Sequence, residues 1–275
     1  MKKSHIISLV FVALAFSCRD DSPVNPLSAL PRDTGGLHRA VLLGADGSPY
    51  GYYLYTPSGY NTNGPRFPLL VFLHGSGQIG NSATNPKALD NVLVAGPPRL
   101  IQKGTWAPEF PMIVASAQCH DGWWDPTKVK KFIEFLMTTY KVDSLHVFLT
   151  GLSMGGYGVY DQLTLYGTDS HLAAAVVIAG AVNVTTEKAK NASPIPLWAF
   201  HGEADTTVPS EYSKTMVKAI NDLNPKVRAK ITMYPGVGHD SWTGTYDGTA
   251  MGKEDPAYDA FRMDIYSWML QFSKK

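Results

Sequence analysis

A serine set between glycines, Gly151-Leu152-Ser153-Met154-Gly155, ends an apolar, β-prone run and opens a helical pattern. Strand, sharp turn and helix is the local structure that holds a serine hydroxyl exposed above a sheet, the geometry of a nucleophile elbow. Glycines at 151 and 155 suit so tight a turn, because a Cβ at either place would collide with the neighbouring strand or helix. The N-terminus of the following helix adds unpaired N–H groups and the positive end of a dipole, which favour an oxyanion developing beside the serine. The same five residues are also compatible with an ordinary glycine-rich turn, so the chemistry depends on what else follows a strand.

Two further loops supply the missing groups. Phe200-His201-Gly202-Glu203-Ala204-Asp205-Thr206-Thr207-Val208-Pro209 leaves an apolar run and carries an acid where it can reach a histidine without being buried unpaired. The His-Gly-x-x-Asp-x-x-Val-Pro pattern places that acid at Asp205 rather than Glu203. Pro235-Gly236-Val237-Gly238-His239-Asp240 is again a post-strand loop, and an imidazole titrates near neutrality, as a general base must. Of the eight histidines, His239 alone follows both Ser153 and Asp205 on such a loop. Asp240 is a poor acid for its own neighbour, since an adjacent residue cannot easily bend back to the ring. The order Ser153, Asp205, His239 is that of α/β-hydrolases. Together the three groups would activate a serine for attack on an acyl carbonyl.

Leu73-His74-Gly75-Ser76-Gly77-Gln78-Ile79-Gly80 resembles the His-Gly-rich loop that supplies half of an α/β-hydrolase oxyanion hole. The donors expected on that likeness are the backbone amides of Ser76 and Met154, each typically contributing about 3 kcal/mol to the transition state. The His74 side chain itself is expected to be structural. Ala117-Gln118-Cys119-His120-Asp121-Gly122-Trp123-Trp124-Asp125 leaves another strand end. Trp124 and Trp242 either form aromatic walls for a sugar or phenolic acyl group or simply pack their loops. Cys119 has no second base or elbow and is expected to be a small buried packing residue.

These loops require a particular frame. An opening antiparallel pair is expected at 37–43 and 50–56 around the Gly44-Ala45-Asp46-Gly47 turn. The continuous apolar run 67–73 is expected to be a strand buried on both faces. Further strands are expected at 112–117, 146–150, 173–179, 196–200 and 229–234. Helices are expected at 89–103, 126–140, 154–166, 210–223 and 256–272, the last with Asp255 as N-cap and Pro256 in its first turn. Such alternation predicts an α/β fold with a mostly parallel central sheet flanked by helices. Between Ser153 and Asp205 there is room for one strand and a short polar stretch, 183–193, so no large lid is expected. Residues 78–108 would form a partial rim.

The chain of 275 residues is 44% hydrophobic, enough for a substantial core, and its net charge of +1 implies neither nucleic acid nor an anionic membrane surface as partner. Lys2 and Lys3 precede an apolar run from Ile6 to Phe16, too short to span a bilayer but suited to a secretory signal. Residues 1–18 are therefore expected to be an export signal. Ser17-Cys18 resembles the end of a bacterial lipoprotein signal, with Cys18 lipidated and Asp20-Asp21 like a surface-export signal; the competing outcome is cleavage to a secreted or periplasmic protein. Residues 19–36, rich in proline and glycine, read as a flexible tether, leaving 37–275 as the catalytic domain.

From about Tyr50 onward the chain resembles single-domain feruloyl and acetyl-xylan esterases of carbohydrate-esterase family one and polyhydroxybutyrate-depolymerase-like proteins. The residues that carry the likeness are His74-Gly75-Ser76-Gly77, Gln118-Cys119, Trp124, residues 151–156, the Asp205 loop, and Gly238-His239 with Trp242. The likeness implies an α/β-hydrolase fold and a serine esterase acting on acetyl or feruloyl carbohydrate esters, with Gln118 beside Trp124 and Trp242 among the substrate-binding residues. Prolyl-oligopeptidase catalytic domains share the motifs but carry a propeller domain, which argues against a gated peptidase here. Two more functions compete with the carbohydrate esterase: a lipase-like or polyester hydrolase, and a non-catalytic glycan-binding lipoprotein. No metal-ligand spacing and no phosphate loop is present, so neither metal nor cofactor is expected. The expected partner is an acylated polysaccharide or oligosaccharide.

Overall fold

The computed structural model describes residues 26–274; the expected export signal, Cys18 and the first part of the tether lie outside the described residues. Eight strands form one sheet in the order β1-β2-β4-β3-β5-β6-β7-β8. They are β1 (Leu37–Val41), β2 (Gly51–Thr56), β3 (Phe67–Leu73), β4 (Ile113–Gln118), β5 (Val142–Leu152), β6 (Ala174–Ile178), β7 (Leu197–Gly202) and β8 (Lys230–Tyr234). β1 pairs with β2 and β2 with β4 antiparallel, and every other pairing is parallel. All seven residues of β3 are buried, as a strand covered on both faces requires.

Alternation along the central strands divides the core in two. Leu69, Val71 and Leu73 face one layer, where they meet α2 (Pro126–Thr139), α3 (Met154–Tyr166), α4 (Thr186–Ala192) and α5 (Glu211–Asn221). Leu70 and Phe72 face the other, with α1 (Gly96–Gln102), α6 (Trp242–Tyr246) and α7 (Ile265–Met269). The longest helix is set by its cap: the Asp125 carboxylate accepts from the amides of Thr127 and Lys128, and Pro126 occupies the first turn, where no donor is needed. Because β3–β8 run parallel, their C-terminal ends share one rim, and the loops that carry the expected catalytic, oxyanion and aromatic residues emerge there.

Two expected helices are corrected. The stretch 89–103 is a 3-10 segment, Pro86–Val94, followed by the short α1. Gly96 breaks it with φ +66°, pressed so close to Phe72 that a Cβ would lie 2.5 Å from the ring, and Pro97 and Pro98 follow without amide donors. The stretch 256–272 is helical only over α7. Its first part is held along β8 instead: Asp255 N donates to Met233 O at 2.8 Å, Asp259 N to Ile231 O at 2.8 Å, and the Asp259 carboxylate accepts from Ile231 N. Asp264, not Asp255, caps the helix by accepting from Tyr266 and Ser267 amides. Between Ser153 and Asp205 lie α3, β6, α4 and β7; the polar stretch expected at 183–193 carries the short helix α4, and no lid is inserted.

The rim is packed to backbone contact beneath Ser153. A Cβ on Gly155 would stand 1.9 Å from the Leu73 carbonyl oxygen, which has nowhere to move inside the sheet. Gly155→Ala is expected to destabilise the protein by about 3 kcal/mol or more, read as a fall in thermal midpoint and denaturant midpoint. An unchanged midpoint would mean that α3 does not dock on β3 this closely.

Candidate active site

The turn at Ser153 is strained in a defined way. Its φ of +52° and ψ of −120° are outside the ordinary regions for a residue with a Cβ, and such strain persists only where the surroundings enforce it. Here the enforcement comes from both sides. Ser153 N donates to Ile178 O on β6 at 2.9 Å, and a Cβ at Gly151 would lie 2.4 Å from Gly155 O, so the chain can reverse only at this place.

The structure brings Ser153, His239 and Asp205 together. His239 Nε2 lies 2.9 Å from Ser153 Oγ, and His239 Nδ1 lies 2.8 Å from Asp205 Oδ2. A carboxylate only accepts, so Nδ1 carries the proton and Nε2 is left to accept from the serine hydroxyl. The loops bearing the acid and the base are locked to each other by Ala204 N donating to Val237 O at 2.9 Å and Glu203 N to Tyr234 O at 3.0 Å. Gly202 makes that approach possible, since a Cβ there would meet Gly238 O at 2.2 Å. Glu203 is exposed, and the Asp240 carboxylate is taken up by the amide and hydroxyl of Thr243, so neither competes for the imidazole.

The Asp205 side chain is fully buried. Burial pushes its carboxyl up, but hydrogen bonds from His239 and from the amides of Val208 and Thr207, with the nearby imidazole charge, outweigh that and hold it below the ordinary carboxylate value. A second histidine completes the cage. His201, also fully buried, places Nε2 2.8 Å from Val208 O and 3.2 Å from Asp205 Oδ2, and Nδ1 2.8 Å from Ser213 Oγ. Val208 O can only accept, so Nε2–H donates to it and toward Asp205, while Nδ1 accepts from the Ser213 hydroxyl. Burial lowers the affinity of this ring for a second proton.

On the other flank the loop after β3 lies against the nucleophile: a Cβ on Gly75 would be 3.5 Å from Ser153 Cβ. Ser76 opens a short 3-10 turn and Met154 is the first residue of α3, so the amide of each stands at a helical N-terminus without an intrahelical acceptor. His74 is a brace beneath this loop. Its Nε2 accepts from Cys119 N at 2.9 Å, which puts the proton on Nδ1, donated to Gly75 O at 2.6 Å; burial lowers its pKa to about 4.

Two expected substrate-binding residues are corrected. Trp124 has no exposed surface: its Nε1 donates to His74 O at 3.0 Å and its ring packs against Tyr50 and His74. Gln118 is likewise buried, its amide donating to Gln78 O at 3.2 Å and to Ala88 O, so it ties down the loop rather than facing the cleft. Trp242 does reach the site, half-buried and edge-on to the His239 ring with centroids 5.0 Å apart. Two aromatics beside the site were not expected from the sequence: Trp123, 49% exposed, and Tyr157, whose rings meet at 5.4 Å. Helical periodicity could have found Tyr157, one turn beyond Ser153. Cys119 is buried and gives its thiol to Trp123 O.

Residues 125–247 match the family model described as Phospholipase/Carboxylesterase. No curated protein matches the chain. Among solved structures, a thermostable esterase is 27% identical with a TM-score of 0.62; the match covers 86% of this chain and 63% of that one, so this chain spans less than two thirds of that esterase. A truncated carbohydrate esterase from gut microbiota is 16% identical, TM-score 0.57, with 88% and 99% covered. A mutant feruloyl esterase module from Clostridium thermocellum, complexed with sinapinate, is 18% identical, TM-score 0.52, with 83% and 89% covered. With the topology described above, these likenesses identify the α/β-hydrolase fold.

The brace at His201 makes a prediction independent of any substrate. His201→Phe keeps the ring volume but leaves Val208 O and one bond to Asp205 without a partner in a dry site, and leaves Ser213 Oγ only its longer bond to Gly180 O at 3.4 Å. A loss of about 2–4 kcal/mol in unfolding free energy is expected, measured by denaturant titration. A variant as stable as the parent would contradict the assigned hydrogen bonds.

Proposed function

We propose that this chain, an α/β-hydrolase by fold, is a serine carboxylic-ester hydrolase that removes acyl groups, of acetyl or feruloyl type, from carbohydrate esters. The observation that carries the proposal is the unbroken hydrogen-bonded chain from Ser153 Oγ through His239 to the buried Asp205, at 2.9 and 2.8 Å. The family match over 125–247 and the esterases among similar folds support the same reaction class. The carbohydrate-esterase and feruloyl-esterase neighbours support the choice of substrate by analogy of fold.

The mechanism follows from where protons can go. His239 Nε2 takes the hydroxyl proton as Ser153 Oγ bonds to the ester carbonyl carbon, and the carbonyl oxygen becomes an oxyanion. The amides of Met154 and Ser76 donate to that oxygen, and the N-terminus of α3 adds its dipole. Asp205, ionised because its hydrogen bonds outweigh its burial, stabilises the imidazolium. The imidazolium then protonates the departing alcohol, leaving an acyl-Ser153 ester, and a water deprotonated by His239 releases the acid by the same steps in reverse. Partial exposure of Ser153 and His239, and the absence of an inserted lid, suit a bulky or polymeric alcohol. An exported protein anchored through Cys18 would meet such polymers outside the cell.

A panel of acetyl, feruloyl and butyryl esters, on sugar and on simple alcohols, tests the proposal. Ser153→Ala is expected to lower kcat by about 10⁴-fold or more while leaving the fold intact. Preference for acyl sugars over long aliphatic esters supports the carbohydrate assignment; the reverse preference indicates a lipase or polyester hydrolase. A parent protein that turns over no ester but retains glycan binding would replace the enzyme with a binding protein.

A further inference from the structure

A polar cavity of about 240 Å³ is lined by Tyr157 and Asp161 of α3 and by Asn183, Lys188 and Tyr212, with the buried Ala181 and Val182. Tyr157 N donates to Ser153 O at 3.1 Å, which puts the Tyr157 ring one helical turn from the serine. The loop after β6 is pressed onto the start of α3, a Cβ on Gly156 standing 2.8 Å from Gly180 Cα, and this contact delivers residues 181–183 to the cavity. A second cavity of about 410 Å³ shares Val182, Asn183 and Tyr212 and extends past Pro209 along α5.

The side chains of Tyr157, Asp161, Asn183, Lys188 and Tyr212 make no hydrogen bond to any described residue. Asp161 is the most unusual of them: half-buried, its carboxyl is pushed up by desolvation, opposed only by the charge of Lys188. Asn183 and Tyr212 are exposed and Tyr157, Asp161 and Lys188 partly so, which leaves these side chains open to a ligand. One carboxylate and one ammonium leave the cavity close to neutral overall, so it does not select an anion or a cation. Two phenol rings offer apolar faces, while a carboxylate, an amide and an ammonium offer acceptors and donors between them. That combination fits the alternating C–H faces and hydroxyls of a neutral sugar ring. An aliphatic acyl chain would leave all three polar groups unpaired.

We propose that this cavity is the subsite for the sugar that bears the ester, with Asp161 and Asn183 binding its hydroxyls, Tyr157 and Tyr212 packing on its faces, and the adjoining cavity taking the next sugar unit. This rests on the esterase assignment above and assigns the alcohol moiety to it.

Two measurements test it. In the first, kcat/KM is determined for O-acetylated xylotriose and for p-nitrophenyl acetate. Asp161→Asn and Tyr212→Ala are each expected to lower the ratio of the two values by about tenfold, the loss of one good polar or stacking contact. Equal loss on both substrates, or an unchanged ratio, overturns the proposal. In the second, calorimetric titration of Ser153→Ala with the same oligosaccharide requires no turnover, and adding Asp161→Asn is expected to weaken Kd by about tenfold. An unchanged Kd, or no binding to Ser153→Ala, overturns the subsite. Absence of ester turnover by the parent with Asp161-dependent glycan binding would instead overturn the esterase assignment and leave the subsite standing.

Discussion

The constraint on which the rest depends is steric: one turn of backbone, between β5 and α3, in which there is room for no side chain except that of the serine. Gly151 touches Gly155, and Gly155 touches the carbonyl of Leu73. A helix so close to the sheet must start at the rim, and a residue at the reversal must accept a positive φ. Strain at Ser153 is therefore a consequence of close docking, held in place by the hydrogen bond from its amide to Ile178 O. The same docking sets the α3 N-terminus beside the hydroxyl and brings Gly75, on the loop after β3, against Ser153, so one packing decision sets both.

Electrostatics complete what packing begins. A carboxylate without exposed surface would be costly alone, and Asp205 is made tolerable by four donors: the imidazoles of His239 and His201 and the amides of Thr207 and Val208. Two histidines thus share one acid but differ in freedom. His201 is sealed in and commits both ring nitrogens to structure, whereas His239 keeps Nε2 toward Ser153 and remains partly exposed. A proton can therefore move at His239 without breaking the loop that His201 holds. His74 performs the equivalent service for the loop after β3, so the site rests on two buried, neutral imidazoles that face no substrate.

Much of this was legible in the sequence because the signals were local. Residues 67–73 form a strand because an uninterrupted apolar run has no other stable place in an α/β protein, and α3 spans 154–166 because the glycines and the helical period mark both its start and its face. Ser153, Asp205 and His239 could be singled out since each sits a few residues past a buried strand, and parallel strands put all such positions at one rim. What failed depended on partners distant in sequence. The apolar spacing at 258–272 was genuine, yet its first half gains more from bonding to the open edge of β8 than from a helix. Trp124 and Trp123 are neighbours of the same type, and only the His74 carbonyl, fifty residues away, decides that Trp124 turns inward. Gln118 reads as a polar residue at a cleft until the carbonyls of Gln78 and Ala88 claim its amide.

The central claim, that a strained serine is activated by the imidazole of residue 239 oriented by a buried carboxylate, is tested most directly by covalent capture. Intact mass and peptide mapping after reaction with an alkyl fluorophosphonate are expected to show one adduct, on Ser153, forming about 10³-fold or more slowly when His239 is replaced by alanine. An adduct on another residue, or an equal labelling rate with and without the His239 imidazole, would contradict the account.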